Sequence, residues 1–300
     1  MTARRTKMIV ASVRPRGQTR GVSEPWFLVG CGYTGTRLAR VLVGQGADLT
    51  ITRRTSAAAQ ESAEMLGARG VMADLGDPAT LLGIIPAEAI VVCLAPPGAA
   101  PADEIRGLIA AAHHARRIVY VSSTGVYAAG GGAWVDEQWP LAPLTPSGAA
   151  RVLAERALAE ATVSHVALRV AGIHGPGRGL VDRLRAGTYR IIGDGTAHVS
   201  RIHVDDLVEA IVRAGRSTVT GAINIADDDP APIGEVADAL AVQFGVPVPP
   251  RVSPASVPAE VAGMLTADRR IANRRMKDEL GVALRYPTWR AAMATSVADP

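Results

Sequence analysis

The run Gly30-Cys31-Gly32-Tyr33-Thr34-Gly35 constrains the fold more than any other stretch of this chain, because it lies between an apolar strand-like segment and a helix-like one. Glycines at this spacing have separate physical tasks. Gly30 permits a tight turn, Gly32 lets backbone approach a pyrophosphate, and Gly35 lets the following helix pack on the strand. The helix start then offers unpaired N–H groups to an anion. A glycine-rich turn without a ligand is the competing interpretation, but the strand-turn-helix context favours a dinucleotide loop, with Tyr33 and Thr34 part of it.

The surrounding pattern agrees with that context. Short β-like runs at 26–29, 47–52, 70–73, 89–94, 117–121 and 164–170 alternate with Ala- and Leu-rich segments of helix length at 35–45, 56–66, 101–114 and 147–161. Such alternation predicts an α/β chain with a Rossmann-type doubly wound parallel sheet. Beyond Val170, Gly and Pro clusters at 172–179, 193–195 and 247–258 break the rhythm. The expected organisation is a nucleotide-binding domain over 25–170 and a small C-terminal substrate lobe over 171–300, interwoven with the main sheet.

Composition removes several function classes. A chain that is 48% hydrophobic and 20% charged is globular rather than disordered. Its apolar runs fall short of the roughly 20 residues a membrane span needs, so a soluble, cytoplasmic protein with no membrane partner is expected. The net charge of +4 sits in residues 1–24, where six basic residues face Glu24 alone. That leaves no basic excess on the folded body, and no nucleic-acid partner is expected. The segment itself reads as a disordered basic extension or an early start, since it lacks the apolar core of a secretory signal. Cys31 and Cys93, the only two cysteines, sit at strand ends and give no disulfide framework. No metal-ligand spacing, nucleophile elbow or Walker lysine occurs, so no metal is expected.

The second strand ends in Arg53-Arg54. An acidic residue there accepts from the ribose 2′-OH of NAD, whereas arginine suits the 2′-phosphate of NADP. Asp48 stands too early in the strand to reach the ribose. NADP is the expected cofactor and NAD the alternative; two arginines that only solvate a loop are the plainer possibility. The ends of the third and fourth strands add Asp74, Leu75, Leu94 and Ala95 to the cofactor set. Asp74 either accepts from the adenine amino group or caps a helix before Pro78.

Three further segments resemble the extended branch of the short-chain dehydrogenase/reductase superfamily, the NAD(P)-dependent epimerases and dehydratases. Tyr120-Val121-Ser122-Ser123-Thr124-Gly125-Val126-Tyr127, followed by Asp136-Glu137 and Pro140, is similar to the family's fifth-strand motif. Leu168-Arg169 through Gly175-Pro176-Gly177 is similar to its sixth-strand turn, with His174 where tyrosine is usual. Arg201-Ile202-His203-Val204-Asp205-Asp206-Leu207 resembles its late strand-to-helix signature. The resemblance implies an oxidoreductase or epimerase-like enzyme acting on a small-molecule carbonyl or alcohol, sugar-type in many members, with a homodimer left open.

In that family a Tyr-x-x-x-Lys helix supplies the acid/base and a serine polarises the substrate oxygen. Ser123 takes the serine role. At the helix this chain departs from the pattern, as atypical members do: Ser147 replaces the tyrosine and Arg151 the lysine. A serine hydroxyl can hydrogen-bond a substrate but is a poor proton acceptor. Arg151 can donate to ribose hydroxyls, yet with a pKa above about 12 it shuttles no proton. His174, on the sheet edge where ligands bind, is a candidate acid/base, a backbone-bonded loop histidine being the alternative. Tyr127 is a further candidate. His203 is expected to cap or pack behind Asp205 and Asp206, which resemble a helix cap. Two functions follow: an enzyme in which Ser123 orients the substrate, Arg151 holds it and His174 or water moves the proton, or a non-catalytic NADP-binding sensor or regulatory subunit. The family often holds a sugar-nucleotide pyrophosphate with an arginine where Val199 stands here; Arg178, Arg183, Arg185 and Arg190 are candidate anion contacts.

Overall fold

Trp26, Phe27, Leu28 and Val29 are all buried, and they alternate between two apolar layers on opposite faces of a sheet. A strand covered on both faces must read as a continuous apolar run, which is how Pro25–Val29 reads. The computed structural model describes residues 24–295, so the basic N-terminal segment, Glu24 apart, lies outside the described residues. Seven parallel strands form the central sheet: β1 (Pro25–Val29), β2 (Asp48–Arg53), β3 (Arg69–Met72), β4 (Ile90–Cys93), β5 (Arg117–Ser123), β6 (His165–Val170) and β7 (Gly221–Ile225). Their order is β7-β6-β5-β4-β1-β2-β3, the doubly wound arrangement expected of a Rossmann-type sheet.

Helices α1 (Tyr33–Gly44) and α2 (Ser56–Leu66) precede a 3-10 turn at Pro78–Leu81, which alone fills the β3–β4 crossover. Helices α3 (Pro101–Ala111) and α4 (Pro146–Leu158) follow. Thr55 and Thr145 cap α2 and α4 by accepting the N–H of Ala58 and Gly148, and left-handed Gly67 ends α2. Ile105, Leu108, Ala154 and Leu158 of α3 and α4 pack with Phe27, Val91 and Tyr120 on one face. On the other, Leu38 and Leu42 of α1 pack with Trp26, Leu28 and Val92.

The C-terminal third does more than form a lobe. Helix α5 (Leu180–Arg185) is short, whereas α6 (Val204–Arg216) is the crossover that carries the chain from β6 to the edge strand β7. His203 caps α6 through Nδ1, which accepts the Asp205 N–H. Asp206 is no cap; it is buried and accepts the backbone N–H groups of Arg285 and Tyr286 at 2.8 and 3.0 Å. Helices α7 (Ile233–Phe244), α8 (Ala259–Leu265), α9 (Arg274–Asp278) and α10 (Trp289–Thr295) complete the chain. Leu184, Tyr189, Ile233, Leu240, Trp289 and Met293 form the lobe's own apolar cluster.

Two polar devices tie these parts together. Arg269, buried, donates to the carbonyls of Thr124, Tyr127 and Ala128, so a late segment braces the loop that follows β5. Glu155 and Arg169 form an ion pair at 2.8 Å with both side chains less than a tenth exposed. Ser122 donates to the same carboxylate, and Arg169 also donates to the Tyr127 hydroxyl. Tyr127 in turn donates to Asn224 Oδ1 on β7 at 2.6 Å. Tyr127 therefore belongs to the core and not to an acid/base pair: it is fully buried, and burial pushes its pKa up to about 12.

Candidate active site

The strand order reverses between β1 and β4, and a cleft of about 860 Å³ opens beyond the strand ends there, bordered by the glycine loop, β5 and the C-terminal lobe. Each loop glycine meets a different neighbour. Gly30 has φ +88°, and a Cβ on it would stand 3.0 Å from Ala95 N. A Cβ on Gly35 would lie 2.9 Å from the Gly30 carbonyl oxygen and 3.2 Å from Leu94 Cδ1. A Cβ on Gly32 meets nothing within 4 Å. Gly32 is also the N-cap of α1, with no side-chain cap and no acidic residue in the first turn. Open space beside uncapped N–H groups is what a pyrophosphate requires, so the residues fit a dinucleotide.

Tyr33 and Arg37 both donate to the carbonyl of Pro176, at 3.1 and 3.0 Å, which latches the turn after β6 onto the start of α1. Gly32, Tyr33, Thr34, Gly35 and Leu94 line the cleft. Arg53, Arg54, Asp74, Leu75 and Ala95 are not among its lining residues. Arg53 nevertheless touches the glycine loop, donating to the Cys31 carbonyl at 2.5 Å, while Arg54 is exposed. Asp74 does not cap the turn at Pro78, whose N-cap position is Asp77; its Oδ1 accepts the Gly76 N–H at 3.0 Å.

Ser123, Ser147, Arg151 and His174 all line the same cleft. Ser123 Oγ accepts the Gly125 N–H at 3.1 Å, so its own proton is available to a substrate oxygen. Arg151 donates to the Val121 carbonyl at 2.9 Å, which fixes its guanidinium beneath the end of β5. Ser147 has a partner that the sequence did not suggest. Its hydroxyl donates to Glu260 of α8, whose other oxygen accepts the Ser147 N–H at 3.4 Å. The contact spans 113 residues and has no local signature.

His174 is 7% exposed and its ring meets that of His203 edge-on at 5.5 Å. Burial first, then the His203 and Arg201 charges, push its pKa down to about 3. A neutral imidazole can hydrogen-bond, but it is a poor proton acceptor and holds no imidazolium proton near neutrality. The thiols beside the cofactor loop are equally unreactive: burial raises Cys31, and it pushes Cys93 up to about 12.

The lining is one-signed. Arg151, Arg178, Arg183, Arg201 and Arg269 border the cleft, and no Asp or Glu does among the described residues. Arg185 lies over the Phe244 ring at 4.8 Å, and Arg190 bonds the carbonyls of Gly187 and Tyr189, so neither faces the cleft. No group of His, Cys, Asp and Glu among the described residues could hold a metal. No helix among them is long and apolar enough to cross a membrane.

A glycine loop at the switch point, joined to a serine at the end of β5 across one cleft, defines a nicotinamide-dependent oxidoreductase of the short-chain type. Residues 26–226 match the NAD-dependent epimerase/dehydratase family, and the chain belongs to it. It is thus an enzyme of that class with a nicotinamide dinucleotide cofactor. A 3-diazoavenalumate denitrifying reductase from a Streptomyces species is 35% identical over 194 residues, covering 59% of this chain and 63% of that protein. The chain therefore aligns with less than two thirds of that relative's length. A functionally unknown conserved protein from Silicibacter pomeroyi has a similar structure, with TM-score 0.79 and 30% identity over 92% of this chain and 99% of that one. DesIV, a dTDP-glucose 4,6-dehydratase from Streptomyces venezuelae solved with NAD and TYD, shares the fold at TM-score 0.75 and 17% identity, covering 92% and 96% of the two chains.

Proposed function

We propose that this chain is an NADP-dependent reductase of a small-molecule carbonyl or related unsaturated group. The observation that carries the proposal is the asymmetry of the cleft: the cofactor half keeps every glycine the dinucleotide needs, while the proton-transfer half is rebuilt around Ser147 and Glu260. The Streptomyces relative, by its name a reductase, supports the direction. Arg53 and Arg54 at the end of β2, with no acid beside them, support the 2′-phosphate of NADP.

When bound, the nicotinamide supplies a hydride to the substrate. The chain's own residues handle the accompanying proton. Ser123 donates its hydroxyl proton to the substrate oxygen as a hydrogen bond, because its oxygen is already engaged by Gly125. Reduction adds one proton to the substrate oxygen; Ser147 would give it from its hydroxyl and recover one from solvent through the Glu260 carboxyl that its hydroxyl touches. Arg151, tied to Val121, holds the ribose side of the cleft in place. A nucleotide-binding sensor without turnover has no observation of its own to favour it, since Ser147 retains a carboxylate partner.

Calorimetric titration with NADPH and NADH tests the cofactor. Wild type should prefer NADPH by tenfold or more, a difference of about 1.4 kcal/mol or above. Arg53→Asp should erase that preference. Equal affinities in wild type, or no effect of the substitution, would overturn the NADP assignment.

A further inference from the structure

Glu104 is a buried acid that the chemistry above does not use. It is 4% exposed and stands in the first turn of α3. Its Oε2 accepts the Gly98 N–H at 2.7 Å and its Oε1 the Ala100 N–H at 3.1 Å. Among the described residues its side chain has no other hydrogen-bond partner and no ion pair. An acid at a helix start gains from the helix dipole in water as well, where Asp103 of the same turn stands with its side chain 79% exposed. Burying a carboxylate without a cation is costly, so the dipole alone does not account for Glu104. Its reach does: Gly98 lies outside the helix, two residues before the N-cap Ala100.

The segment it holds, 94–100, joins β4 to α3 along one wall of the cleft. Its first residues are fixed by the sheet, since the N–H groups of Leu94 and Ala95 both donate to the Val29 carbonyl. Pro96 and Pro97 have no N–H to give. Beyond them Gly98, Ala99 and Ala100 are all exposed, so no burial of their own fixes their course. Glu104 reaches that stretch from its buried side. The approach is one that glycine allows, because a Cβ on Gly98 would stand 2.6 Å from Glu104 Oε1. Between the two anchors, Val29 and Glu104, lies Pro96, which lines the cleft together with Leu94. The same segment touches the glycine loop, where a Cβ on Gly30 would meet Ala95 N and one on Gly35 would meet Leu94 Cδ1.

We infer that Glu104 is a positioning residue for the dinucleotide: by holding Gly98 and Ala100 it fixes the far end of the segment, and with it the wall that Leu94 and Pro96 present, before the cofactor arrives. A wall already in place spares the cofactor the entropy of ordering it, so loosening the segment weakens binding without removing any group that touches the nucleotide. The inference goes beyond the reductase proposal and needs only that the cleft bind a nicotinamide dinucleotide.

The test titrates NADPH and NADH into full-length wild type, Gly98→Ala, Glu104→Gln and the double variant Glu104→Gln/Ala100→Ser, with thermal denaturation of each. In Gly98→Ala the new methyl meets the flexible end of Glu104 and pushes it aside, so the fold holds while the link is broken. Both single variants should bind the preferred nucleotide at least tenfold more weakly. Serine at Ala100, an N-cap position without a side-chain cap, restores what capping alone contributes to α3. The double variant should therefore regain thermal stability and still bind at least tenfold more weakly. Wild-type affinity in Gly98→Ala, or affinity that returns together with stability in the double variant, would reduce Glu104 to a helix cap and overturn the inference. Should the Glu104 variants fail to fold, Gly98→Ala decides. A preference for NADH in wild type would strike the NADP proposal alone, and the comparison would then be read with NADH; binding of neither nucleotide would overturn both.

Discussion

Two substitutions in the glycine loop should separate binding from folding. A side chain at Gly32 enters open space, so Gly32→Ser strains nothing nearby. Serine is also at least as good an N-cap as glycine, which leaves stability equal to wild type or higher by a few tenths of a kcal/mol. Its hydroxyl, however, fills the phosphate space and satisfies the N–H groups that an anion would use. NADPH affinity should fall more than tenfold, about 1.4 kcal/mol or more. Gly35→Ala should act through the fold. Its Cβ would sit 2.9 Å from the Gly30 carbonyl oxygen and 3.2 Å from Leu94 Cδ1. Overpacking of that kind costs about 1–3 kcal/mol. Exchanging glycine for alanine within a helix returns up to about 1 kcal/mol. With the full return the net loss is up to about 2 kcal/mol, which lowers the melting temperature of a 300-residue chain by up to about 3 °C. Differential scanning calorimetry and NADPH titration on the three proteins read both quantities. A Gly32→Ser protein that binds NADPH like wild type would refute the assignment of the loop to the pyrophosphate.

Other perturbations have equally definite outcomes. Glu155→Ala leaves Arg169 buried without its counter-charge and should cost about 3–5 kcal/mol in urea denaturation, a loss that Glu155→Gln should reduce. Tyr127→Phe removes a hydroxyl that serves Asn224 and Arg169; stability should drop by about 1–3 kcal/mol with NADPH affinity unchanged, as befits a core residue. Asp227, raised from 3.8 to about 7, contributes stability that is complete below the lower value and is lost as pH rises through the higher one. His174, lowered from 6.5 to about 3, has the opposite sign: its contribution is complete above 6.5 and is lost as pH falls toward 3. Asp227→Asn should therefore gain stability relative to wild type between pH 4 and 7, by up to about 1.4 kcal/mol per pH unit, and denaturation at pH 5 and pH 7 would show it.

What was legible in the sequence was local. The apolar run at Trp26 and the alanine-rich stretch Ser56–Leu66 carry their own periodicity, and both elements fall where the pattern puts them. Strand β7 is not legible in the sequence because Gly221–Ile225 is short, contains Asn224, and lies among turn-forming residues; only pairing with β6 makes it a strand. The glycine loop was readable because each glycine answers to neighbours close in sequence or to an adjacent strand. Glu260 was not, since its relation to Ser147 exists only after α8 docks on α4. The burial of Tyr127 was hidden for the same reason: its partner Asn224 lies 97 residues away.

The brace formed by Arg269 sets an order of events. Its three bonds reach residues 141, 142 and 145 positions earlier in the chain. Contacts of such separation close late in folding, because the entropy of the intervening loop must be overcome before they gain anything. The loop after Ser123, which borders the cleft, therefore gains its brace only once Arg269 is in place, whereas the glycine loop meets Leu94 and Ala95, neighbours much nearer in the chain.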